Sequence, residues 1–198
     1  MRPQETAFSD VRMARAKVAD DPRGAEASAR TSLHPTLSNW FGEISYVPES
    51  LEVARHVDDI IRIVKNPQRY PSPVRAKGSH HSTTAAIVAQ GGTVIDMTHM
   101  NRILEINEKA KTITMEAGVL HIDAAKELEK HNLQFYVNLE LGNMTVGSGA
   151  CCGTKDASFY SQDENRYEFG QVASYVIGYK AVQPDGSNTR HLKKALPQ

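Results

Sequence analysis

The 198-residue sequence is short of cysteine, of net charge and of long apolar runs, and each shortage removes a class of function. It has 23 Lys and Arg against 23 Asp and Glu, a formal net charge of zero. That balance gives no electrostatic case for nucleic acid or an anionic membrane surface as main partner. No stretch approaches the roughly 20 apolar residues that span a bilayer, so no integral membrane segment is expected. The only cysteines, Cys151 and Cys152, are adjacent. Vicinal pairing strains disulfide geometry, so no disulfide framework is available, which suits a reducing compartment and a cytoplasmic location. Two thiols without a partner cluster make a poor zinc site, and no H-E-x-x-H spacing occurs, so no metal is expected. The plain reading of the pair is two small buried side chains.

With 40% hydrophobic and 23% charged residues, the composition is globular. Residues 1–38, rich in Arg, Ala, Ser and Asp, carry no apolar stripe and read as a flexible leader. They lack the apolar core of a secretory signal, and Glu5, Asp10, Asp20, Asp21 and Glu26 argue against a mitochondrial transit peptide. Order is expected from near Trp40, in one domain over 39–198. Residues 44–47 read as a strand. Ser50 is placed as the cap of a helix whose apolar face is Val53, Val57, Ile60, Ile61 and Val64, with Arg55, Asp58, Asp59 and Arg62 on the solvated face. Strands are predicted at Pro73–Ala76 and Thr93–Met97, and alternation predicts a hairpin from Ile103–Ile106 and Thr112–Glu116 around the polar NEKAK. A helix over Asp123–His131, a strand over Leu133–Val137 and a long strand over Ser174–Val182, ending at Pro184-Asp185-Gly186, complete the order. Such mixing predicts an α+β or mixed α/β fold.

Two loops are candidates for holding phosphate. The first, VRAKGSHHS at 74–82, leaves a short strand and carries small polar residues, and successive backbone N–H groups in such a turn form an anion-binding nest. The second, TVGSGACCGT at 145–154, has small residues that let backbone approach a ligand closely, but lacks the G-K-[ST] of a P-loop. Each also reads as a plain connection, the second as a tightly packed helix or bend. His80 and His81, being adjacent, cannot both face one site in an extended loop, and hydrogen-bonded or solvent-facing roles compete with a functional one. No Ser-His-Asp set emerges, so the catalytic residues are unassigned.

Taken in order, the motifs become more specific. VRAKGSHHS, VIDMTHMNRIL, a hairpin, MEAGV, TVGSGACCGT and FGQVASYVIGYKAVQPDGS follow one another between about residues 41 and 190. The series resembles the FAD-binding domain of the vanillyl-alcohol oxidase family, with the sugar-lactone and alditol oxidases most similar among its members. The resemblance implies FAD as cofactor and a domain of two small α/β subdomains with mixed parallel and antiparallel strands. It implies that Lys77, Gly78, Ser79, His80, His81 and Ser82 line the FAD diphosphate. Thr145, Val146, Gly147, Ser148 and Gly149 would also approach the cofactor, with Cys152, Gly153, Thr154 and Lys155 near the flavin end. Where members carry a covalent flavin, the position falls on His81; a phosphate-loop role is the simpler alternative. His80 stands where the family loop usually has glycine, and Lys155 where related oxidases often have histidine.

The implied activity is an FAD-dependent oxidoreductase that oxidises an alcohol or sugar-like small molecule by hydride transfer to flavin. The family's substrate domain has no counterpart in these residues, and the strand at 174–182 would be an unpaired edge. An incomplete FAD domain, self-associating or completed by a partner chain, is therefore expected. A non-catalytic flavoprotein fragment and a cofactor-free α+β interaction module are the rival readings.

Overall fold

In the computed structural model, which describes residues 35–139, 141–154, 160–161, 165–167 and 170–192, two short strands come first. β1 (Leu37–Ser38) and β2 (Ser45–Tyr46) pair antiparallel around a tight turn. β3 (Ser50–Val53), helix α1 (Val57–Val64), β4 (Val74–Lys77) and β5 (Thr93–Asp96) follow. The three strands form a parallel sheet in the spatial order β3-β5-β4. β5 is central, and its Thr93, Val94 and Ile95 are all buried, as a parallel strand covered on both faces requires. Successive side chains point to opposite faces. Ile95 therefore packs with Ala54, Ile63 and Tyr70 on the α1 side, and Val94 with Tyr46 and Ala89 on the β1–β2 side.

Beyond the sheet, β6 (Ile103–Asn107) and β7 (Thr112–Met115) make the expected hairpin, with a register shift between Ile103 and Glu105. Helices α2 (His121–Glu129) and α3 (Val146–Cys151) are followed by the pairs β8 (Tyr160–Ser161) with β9 (Arg166–Tyr167) and β10 (Gly178–Val182) with β11 (Asn188–Leu192). The fold is α+β with parallel and antiparallel strands, as the motif order implied. Of the expected leader, residues 1–34 lie outside the described residues.

Several local expectations are corrected. Ser50 does not cap a helix; it opens β3, and its hydroxyl donates to Glu52 at 3.0 Å. Val53 belongs to that strand, and the helix starts at Val57 with His56 as its N-cap residue. Asp59, placed on the solvated face, accepts the Arg55 and His56 N–H groups at 3.0 and 3.1 Å and satisfies the helix start. The Arg55 N–H and the Arg62 guanidinium hold its carboxyl below the ordinary range.

Leu133–Val137 is not a strand. The Leu133 N–H closes back on Leu128, the Phe135 ring stacks on His121 at 4.3 Å, and the Leu139 N–H goes to the His121 ring, so the segment is fixed by a side chain instead of a ladder. Ser174–Val182 is not one long strand either. Val172–Tyr175 forms a 3-10 turn, and only Gly178–Val182 is extended. Nor is this strand an unpaired edge, because the Asp185-Gly186 turn folds β11 back along it. Ile177, Tyr179 and Leu192 nevertheless remain 61%, 58% and 64% exposed. The cysteines are exposed, not buried: Cys151 ends α3, and the N–H of Cys152 bonds the Ser148 carbonyl just past its end. No helix among the described residues is long and apolar enough to cross a membrane.

Candidate functional site

β4 and β5 end side by side, with Lys77 paired to Asp96 in parallel register. The Lys77 ammonium meets Asp96 Oδ2 at 2.8 Å, and the Thr98 N–H and hydroxyl donate to Oδ1 at 2.9 and 2.6 Å. Burial raises the Asp96 pKa, but these donors outweigh it and hold the carboxyl below its ordinary value. Lys77 is thus engaged by a carboxylate at the sheet's rim, and Arg75 is exposed.

The chain then turns through Gly78–Ser82. Among the described residues, none of the five backbone N–H groups from Gly78 to Ser82 donates to a protein acceptor. This loop packs directly on the second candidate segment. A Cβ at Gly78 would collide with Thr145 Oγ1 and come within 3.1 Å of its Cγ2, and the Ser79 hydroxyl donates to the Asn143 carbonyl at 2.6 Å. The fold therefore brings together two loops more than 60 residues apart in sequence.

His80 and His81 diverge, as adjacency demanded. His80 has φ +63, the left-handed conformation that glycine adopts most readily, at the place where the family loop usually has glycine. Its ring turns inward. Nδ1 donates to the Ser38 carbonyl at 2.8 Å, which leaves Nε2 to accept the buried Tyr46 hydroxyl at 2.9 Å. His80 is therefore a pin that ties the loop to β1 and β2, and burial lowers its pKa. His81 faces the other way. Both of its ring nitrogens are buried without a hydrogen-bond partner among the described residues, and its ring lies 5.1 Å from that of Trp40. Burial pushes its pKa down, opposed in part by the Asn143 side chain, which stands near the ring but outside hydrogen-bond geometry.

In the second segment the small residues make room for protein. A Cβ at Gly147 would stand 2.8 Å from that of Ala117, and one at Gly149 2.9 Å from the Leu139 methyls. The N–H groups of Val146 and Gly147 donate to Val119 and Ala117, and Thr145 is buried. Thr154 is anchored through its hydroxyl to Gly149, and Gly153 lies against the Gln171 side chain. Gly78–Ser82 and Thr145–Gly149 are thus gathered in one place; Cys152 and Gly153 follow on its exposed side. Lys155 lies outside the described residues. The sequence reading did not single out Asn39, Trp40 and Tyr46, which reach this loop from β1 and β2; the lone tryptophan ahead of Gly42 was the available signal.

Burial lowers the pKa of three histidines, His80, His81 and His121. The unfolded chain takes up protons on them as pH falls below about 6.5, while the fold resists until lower pH. Their contribution to stability is therefore complete above about pH 6.5 and lost as pH falls below it. The urea midpoint is expected to drop between pH 7.5 and 5.5, with His121→Asn flattening the slope. A midpoint constant over that range would contradict the burial argument.

Comparison with known proteins identifies the family and the fold. Residues 48–190 match the family model described as FAD binding domain. The chain is 26% identical over 151 residues to L-gulonolactone oxidase of Mus musculus, covering 76% of this chain and 32% of that protein. It is 28% identical over 153 residues to glycolate oxidase subunit GlcD of Bacillus subtilis, covering 73% of this chain and 30% of that one. In fold it is similar to cholesterol oxidase of Brevibacterium sterolicum, with a TM-score of 0.68 at 20% identity, over 88% of this chain and 35% of that one. The chain spans about a third of the length of these relatives.

Proposed function

From the premise that this chain belongs to the family of FAD binding domains, we propose that it holds FAD at the junction of its two small-residue loops, as the cofactor-binding part of an oxidoreductase. The carrying observation is the loop Gly78–Ser82: five successive backbone donors without protein acceptors among the described residues, and within it His81, whose two ring nitrogens make no hydrogen bond there. Both fit FAD, whose diphosphate takes N–H donors and whose rings carry polar edges. The left-handed residue within the turn helps successive N–H groups converge.

Bound FAD would supply hydride acceptance from a substrate carbon, for an alcohol or sugar-like small molecule. Relatives named for a sugar lactone and for glycolate support that class. The chain's own part is positional. Gly78–Ser82 and Thr145–Gly149 shape the cradle, His80 fixes its height against β2, and His81 faces the cofactor. Self-association or a partner chain covers the exposed Ile177, Tyr179 and Leu192 in the same reading.

The purified chain mixed with FAD should retain flavin absorption after gel filtration, and the elution volume reports its association. A colourless, FAD-indifferent protein would overturn the reading. Acid precipitation then tests His81: flavin retained in the wild-type pellet but released from His81→Ala assigns it a covalent bond, and flavin in the wild-type supernatant assigns it a non-covalent contact.

A further inference from the structure

We propose that Trp40, the only tryptophan of the chain, is a wall of the cofactor site that packs against a planar ring of the bound dinucleotide; this rests on the flavin reading above. Trp40 lies ahead of the residues matched by the family model, which begin at 48. Three observations carry the assignment.

The first is rigidity. Trp40 is 58% exposed, yet its turn is held firmly. Asn39 closes the turn to Ile44 through its backbone N–H and its side-chain oxygen, at 2.9 and 3.0 Å. The second is where the turn is anchored. The Trp40 N–H donates to the His80 carbonyl at 2.8 Å, and the Asn39 amide donates to the Ser82 carbonyl at 3.1 Å. These carbonyls flank His81, so the turn is built onto the phosphate-loop candidate at the residue that faces away from the core. The third is the ring's surroundings. The indole has Phe41 edge-on at 5.0 Å and the His81 ring at 5.1 Å as its ring neighbours among the described residues, and more than half of the residue's surface stays exposed.

A large apolar ring fixed in place and left in water is disfavoured unless something covers it. The neighbouring imidazole has two nitrogens that the protein covers without giving them a hydrogen bond among the described residues, and a turn of its ring would bring one of them to a ligand with polar atoms. A planar ring with a polar edge meets both demands, since indole offers its face or edge to another ring and imidazole offers a donor and an acceptor. FAD carries two such rings, flavin and adenine, and the chemistry here is common to both.

The test compares wild type, Trp40→Ala and Trp40→Phe, titrated with FAD and with ADP. Trp40→Ala should weaken FAD binding about tenfold, the scale of one lost ring stack, and Trp40→Phe should recover most of it. A loss shared by ADP assigns the adenine to Trp40, and a loss confined to FAD assigns the flavin. Because Trp40 is mainly exposed, the far-ultraviolet dichroism of both variants should match wild type. In the unmodified protein, saturating FAD should shield the tryptophan emission from acrylamide severalfold. Unchanged FAD affinity in folded Trp40→Ala, or unchanged acrylamide quenching with FAD bound, overturns the proposal and leaves the flavin reading standing. Failure of wild type to bind FAD overturns the flavin reading, and the proposal falls with it.

Discussion

Gly118→Ala is expected to lower the unfolding free energy by about 3 kcal/mol or more, the upper part of the range for forced overpacking. A Cβ at this position would collide with the Met97 carbonyl oxygen and stand 2.8 Å from that of Met100. Both obstacles are backbone, so no rotamer change relieves them. They cannot withdraw cheaply, because the Gly118 N–H donates to the Met100 carbonyl at 2.8 Å and the Met100 N–H to Met97 at 2.9 Å. The displacement would also travel. Ala117 and Val119, on either side, accept the N–H groups of Gly147 and Val146, which begin α3. Thr145, just ahead of them, is the residue against which Gly78 packs. Gly118→Ala should therefore lose FAD-dependent stabilisation as well as intrinsic stability. Urea unfolding with and without FAD reads both; a loss below about 1 kcal/mol would mean that the turn after β5 gives way easily.

What the sequence made legible follows from the range of the interactions involved. The β6–β7 hairpin was visible because its alternation and its polar turn are local. β5 was visible because Thr93, Val94 and Ile95 form a β-branched run, the composition a buried central strand favours, before the charged Asp96 at its end. Ser50 was misread because a serine followed by apolar residues at helical spacing suits a cap, while the parallel pairing that claims it comes from Thr93, 43 residues later. Leu133–Val137 looked like a strand because it is apolar, but a buried histidine from α2 meets its backbone needs, and no periodicity reports that. In the site, the order of small-residue loops was readable, while the contacts that define their geometry were not. Asn39 reaches Ser82 over 43 residues, and Tyr46 reaches His80 over 34. His80 is the instructive case. By sequence it is a substitution for glycine in a phosphate loop; in the fold it keeps the left-handed backbone of glycine and gains two hydrogen bonds, each worth about 1 kcal/mol.

Gly78→Val should abolish FAD retention on gel filtration, and the cause lies in packing against Thr145. In the structure the backbone at Gly78 is not left-handed, so a side chain is not excluded by φ. It is excluded by Thr145, whose Oγ1 would collide with a Cβ and whose Cγ2 and Cβ would stand at 3.1 and 3.2 Å. Thr145 is 3% exposed and cannot swing aside into solvent. Valine adds two γ carbons to that collision and restricts its own χ1, so the loop must lift from the second segment and the cradle opens. Alanine adds only the Cβ, and Gly78→Ala should weaken FAD binding about tenfold through a strain of about 1–2 kcal/mol. Thr145→Ala removes Oγ1 and Cγ2, the two nearest obstacles, so Gly78→Ala placed on that background should lose less than it does alone. The double-mutant cycle, read by FAD titration and by urea midpoint, should show a coupling of about 1–2 kcal/mol. Strict additivity would show that the two loops do not touch through these side chains, and that the constraint at Gly78 lies with the phosphate alone.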